Sequence, residues 1–98
     1  MPQVQKATEA GETTQLFIRF LMVQQQQALL ALGRHPQPPP GAPPASPLLA
    51  KMFIDQLWML REKTRGNLNS HEEKLLNNII NDLQIAYVEV TGDQTLRA

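Results

Sequence analysis

The chain has 98 residues, with nine Lys and Arg against nine Asp and Glu, and no cysteine. A chain of this length makes one compact domain and buries roughly two-thirds of its unfolded surface. Balanced charge supplies no global field to draw nucleic acid, an anionic membrane or an acidic substrate, and the lack of thiols excludes disulfides, thiolate metal sites and cysteine nucleophiles.

Residues 1–13 carry Lys6, Glu9, Gly11 and Glu12 without apolar periodicity and are expected to be a flexible lead. They also lack the basic start and apolar run of a secretory signal, so the expected localisation is cytoplasmic.

A first helix is expected over 14–33, opened by Thr14 as N-cap and closed by Gly33 in the left-handed conformation, with Pro36 preventing its resumption. Phe17, Phe20 and Leu21 head an apolar set that occupies more than one face, so this helix needs cover on more than one side. Gln24, Gln25, Gln26 and Gln27 interrupt the set. They serve either as a solvated face or as polar positions that fix the register of a helix interface. With Arg19, they also make the stretch too polar to be a transmembrane segment.

Residues 34–46 hold six prolines in thirteen positions, a composition that favours extended polyproline conformation and reads as a linker. Pro36 to Pro39 and Pro40 to Pro43 also have the P-x-x-P spacing of a ligand for an aromatic groove.

A helical hairpin is expected over 47–92, followed by a flexible tail at 93–98. Ser46 is a good N-cap, and Pro47 sits where its missing donor costs nothing. Phe53 and Leu57 belong to one apolar stripe, while Ile54 and Trp58 form a second. Docking the first helix over that second line would bury Trp58, which otherwise suits an interface anchor. Gly66 is the expected stop, and the short connection makes an antiparallel hairpin the natural outcome. The next helix opens with a capping box, either Ser70 with Glu73 or Asn69 with Glu72. Ile79, Leu83 and Tyr87 mark its stripe, and Gly92 its close. The expected fold is therefore all-α: a short bundle of one amino-terminal helix and a hairpin, joined by the proline-rich linker. Phe17, Phe20, Leu21, Phe53, Leu57, Trp58, Ile79, Leu83 and Tyr87 are its core or interface candidates.

Ile54-Asp55, Leu57, Leu60, Lys63-Thr64, Gly66-Asn67-Leu68, Glu72, Leu75-Leu76, Leu83 and Tyr87-Val88 together resemble the signature of a bacterial family, domain of unknown function 1844. The resemblance centres on the KTRGNL stretch and extends over about four-fifths of the chain. It implies a short helical protein and no assigned activity. Asn69 and Gln84 stand where the pattern leads one to expect threonine and arginine.

No catalytic constellation emerges. His35 and His71 have no second ligand at metal spacing, since Leu75 occupies the fourth position after His71. Carboxylates fall at helix starts or beside basic neighbours, as Lys51 and Asp55 do, and the five glycines are scattered. The chain is expected to be no enzyme, with no cofactor, metal or small-molecule substrate. The leading expectation is a homo-oligomer or protein-interaction module. The alternative is a helix-turn-helix-like nucleic-acid-binding regulator, weakened by Glu72 and Glu73 where a major-groove helix meets phosphate. Peripheral attachment to a membrane through the first helix would need a basic polar face, and that helix offers Arg19 and glutamines.

Overall fold

The computed structural model describes residues 6–93, with side chains from Gly11 onward. Three helices follow one another there: α1 (Lys6–Leu32), α2 (Pro47–Lys63) and α3 (Ser70–Thr91).

α1 begins at Lys6 rather than after Thr14. Ala7, Glu9, Ala10 and Glu12 are strong helix formers and no proline lies between Pro2 and Pro36, so Gly11, at ~1 kcal/mol against Ala, does not stop the helix. Part of the expected flexible lead is therefore helix. Residues 1–5 of that lead and 94–98 of the expected tail lie outside the described residues. Thr14 is an interior residue whose hydroxyl accepts a hydrogen bond from the Asn69 side-chain amide at 3.2 Å.

The end of α1 is a Schellman motif. Gly33 takes φ +73°, its N–H reaches the Leu30 carbonyl, and the Arg34 N–H reaches the Leu29 carbonyl at 2.8 Å. The linker then departs from the expected extended spacer. Thirteen residues of polyproline would span ~40 Å, yet the Ser46 N–H returns to donate to the Ala31 carbonyl at 2.7 Å. A type II turn at Pro39–Ala42, with Gly41 at φ +78° in its third position, reverses the chain. The segment is a closed loop, strapped across the end of α1.

α2 starts as expected, with Ser46 Oγ accepting from the Leu49 N–H at 3.3 Å and Pro47 first in the helix. Its end differs from expectation. Thr64, not Gly66, is the C-cap: the Thr64 N–H and hydroxyl both donate to the Leu60 carbonyl. Gly66 serves the turn beyond, at φ +83°. α3 opens on Asn69, whose side chain accepts from the Glu72 N–H while Glu72 accepts from the Asn69 N–H at 2.9 Å. Ser70 is the first helical residue and not the cap.

Contacts at both ends fix the directions. Thr14 near the start of α1 meets Asn69 at the start of α3, and Arg34 past the end of α1 meets Glu89 near the end of α3. α1 and α3 therefore run parallel, and α2 runs antiparallel to both. Leu21, Ala28 and Leu32 from α1, Ile54 and Leu57 from α2, and Leu76, Ile79, Ile80, Leu83 and Tyr87 from α3 make the shared core. Each large aliphatic taken fully out of water contributes ~1.5–3 kcal/mol. Ala28, Ala31 and Ala50, all buried, let the backbones of α1 and α2 approach.

Candidate interaction surface

The nine core or interface candidates divide sharply by burial. Leu21, Leu57, Ile79, Leu83 and Tyr87 are core; Phe17 and Phe53 are partly buried against it; Trp58 is partly buried; Phe20 is 49% exposed. Trp58 shares a flank of α2 with Arg61, three residues on, and Arg61 donates to Asn77 of α3 at 3.2 Å. The flank that borders α1 carries Gln56 and Leu60.

Phe20 belongs to a stripe that α1 turns away from the core. Leu16, Phe20 and Val23 recur at helical spacing, about 100° round the helix from the buried line of Leu21 and Ala28. On α2, Leu48, Met52 and Met59 point outward, with Leu49 beside them. Leu16 is 62% exposed, Met52 51% and Leu48 75%. Among the described residues, eight of the ten exposed large hydrophobics lie on α1 and α2, and all of these except Met22, about 200° round α1 from Phe20, border the same side. A groove of about 230 Å³ runs between the two helices, lined by Phe20, Gln24, Gln56, Leu57, Met59 and Leu60.

This face is also poor in charge. From Phe20 to Leu32, α1 has no ionisable side chain, and on α2 Lys51 is paired with Asp55 at 3.0 Å. The outer side of α3 has the opposite character: Lys74, Asn78, Asn81, Asp82 and Glu89 are exposed around the single apolar Ile85. Gln24, Gln25 and Gln26 are half-buried and Gln27 alone of the four is exposed, so the glutamine run is not simply a wet face.

Other features offer less. A hollow at the α2–α3 turn is lined by Arg61, Arg65, Leu68, Glu73 and Asn77, but Arg65 is paired with Glu62 and Arg61 is bonded to Asn77. A second hollow, beneath the proline-rich loop, is lined by Leu30, Gly33, His35, Pro38, Ala42, Pro43 and Ala45. The turn at Pro39–Ala42 interrupts the extended conformation a P-x-x-P ligand holds. His35 Nδ1 accepts from the Gln37 N–H, and His71 is exposed on α3. Among the described residues no three His, Asp or Glu side chains gather as metal ligands, and no helix is long and apolar enough to cross a membrane.

Leu48 and Met59 escaped sequence reading. The signal was present in the seven-residue step from Met52 to Met59, which keeps one helix face, but whether that face stays uncovered depends on where α1 and α3 pack against α2. Comparison with curated proteins and with solved structures returns no match. The family comparison does: its model matches residues 14–89, from the hydroxyl that meets Asn69 to the carboxylate that meets Arg34, and the chain belongs to the family described as Domain of unknown function (DUF1844).

Proposed function

We propose that the chain is a non-enzymatic self-association module whose outer α1–α2 face pairs with a second copy of itself. The observation that carries this reading is the gathering of Leu16, Phe20, Val23, Leu48, Met52 and Met59 on one side of the bundle, with charges only at its margins: Glu12 and Arg19 beside Leu16, the Lys51–Asp55 pair, and Lys63 one turn past Met59. Contiguous apolar surface of this kind on a small helical protein is ordinarily covered by a partner. A two-fold interface brings each charged group near its own copy, so a face whose centre has no ionisable side chain is suited to a second identical chain. A strip as long as α2, ~25 Å, and two helices wide, ~20 Å, offers on the order of 500 Å² per copy, which meets the ~1,000 Å² total of a specific interface. A cytoplasmic setting accords with a cysteine-free chain.

The helix-turn-helix alternative has less support. In the first turn of α3, where base contacts would be made, Glu72 is buried in the capping box and Glu73 is exposed.

Sedimentation equilibrium over a micromolar concentration range tests the proposal. The expected result is a reversible dimer, with Phe20→Glu monomeric at the same helicity. A wild-type chain that sediments as one subunit throughout, indistinguishable from Phe20→Glu, overturns it.

A further inference from the structure

Resting on that reading and deepening it, the geometry points to Gln24 and Gln56 as the residues that make the face specific for a second copy of this chain rather than for any apolar partner. Both line the groove between α1 and α2, flanked by Phe20 and Met59. Gln24 is half-buried and follows Val23 at the end of the α1 stripe, and Gln56 is exposed between Met52 and Met59 on α2; across the antiparallel pair both stand in the groove between Leu16 at one end of the patch and Leu48 at the other. They are thus polar groups at the centre of an apolar patch, where a two-fold axis relating two such patches must pass.

The amide is the side chain suited to that position. It carries a donor and an acceptor together, so it forms two reciprocal hydrogen bonds with another amide. A carboxylate or an ammonium group meeting its own copy across the axis is repelled instead. With the axis running across the two helices Gln24 meets its own copy, and with the axis running along them it meets Gln56 of the second chain; in both arrangements amide faces amide. A slipped register, or a purely apolar partner, would bury these groups without partners, so they select both the occupant and its alignment, as a buried polar position does in a coiled coil.

A charge-swap experiment on the full chain tests the assignment, with sedimentation equilibrium as readout and circular dichroism as the check on folding. Gln24→Glu/Gln56→Glu and Gln24→Lys/Gln56→Lys should each self-associate at least ~10-fold more weakly than wild type. Their equimolar mixture should restore pairing as a heterodimer. Gln24→Leu/Gln56→Leu, which keeps the fold if the charged variants lose it, should stay associated but spread from one stoichiometry to several. Wild-type pairing combined with unchanged pairing of the charged chains, a mixture no tighter than its parts, or one stoichiometry retained by the leucine variant overturns the role of the amides. A single-subunit wild type removes instead the self-association on which it rests.

Discussion

Asn69 holds three separate contacts at one point of the chain. Its side-chain oxygen accepts from the Glu72 N–H at 2.8 Å, its own N–H donates to Glu72, and its amide nitrogen reaches Thr14 on α1. Asn69→Ala therefore leaves a donor at the start of α3 unsatisfied and should lower unfolding stability by ~1 kcal/mol in a urea titration. Ser70→Ala, one residue on, removes no cap and should fall within ~0.5 kcal/mol of wild type. The sequence offered both placements, because Asn and Ser rank almost equally as caps and each has a glutamate three positions later. The choice is made by tertiary position. Glu72 turns inward to 7% exposure while Glu73 stays in water, and Thr14 supplies a partner for the Asn69 amide.

Elements were legible where side chains announce them and less so where backbone groups decide. Ser46-Pro47 announced the start of α2, and the stripe of Ile79, Leu83 and Tyr87 announced α3. The linker shows the limit. Its prolines mark a segment that is neither helix nor strand, but its closure depends on a main-chain bond from Ser46 to Ala31, which leaves no mark in composition. Closure also places Ala45 Cβ 3.3 Å from where a side chain on Gly33 would begin. Gly33→Ala meets both that contact and the left-handed φ, and should cost ~1–2 kcal/mol, read from the thermal midpoint. Replacing the linker prolines by Gly and Ser at constant length should also lower stability, by ~0.4–1 kcal/mol for each well-placed proline, because the unfolded chain gains freedom. Neither change touches the α1–α2 outer face, so the mass in solution should not move.

At the scale of the molecule, the sequence revealed a surplus of apolar helix surface but not which part of it stays uncovered. That depends on the flank of α2 against which α1 packs. Once Leu21 and Ala28 take the core, Phe20 is carried outward with Leu16 and Val23, whereas Trp58, a natural anchor by type, is partly buried on the flank of α2 that also carries Arg61. The character of the resulting face sets its response to salt. Where a complex rests on pairing side-chain charges with phosphate, affinity falls steeply as salt rises, by ~10³–10⁵ for a protein making several such contacts. On the outer face of α1 and α2 the Lys51–Asp55 pair is satisfied within the subunit, Glu12, Arg19 and Lys63 stand at its margins, and the residues at its centre are apolar or amide. Self-association through it should shift by less than ~3-fold between low and high sodium chloride, since screening has almost nothing to act on. Sulfate should tighten it, because an excluded salt favours burial of apolar surface. Sedimentation equilibrium in the two salts measures both effects, and a dissociation constant that climbs steeply with sodium chloride would assign the contact to the charged side of the bundle instead.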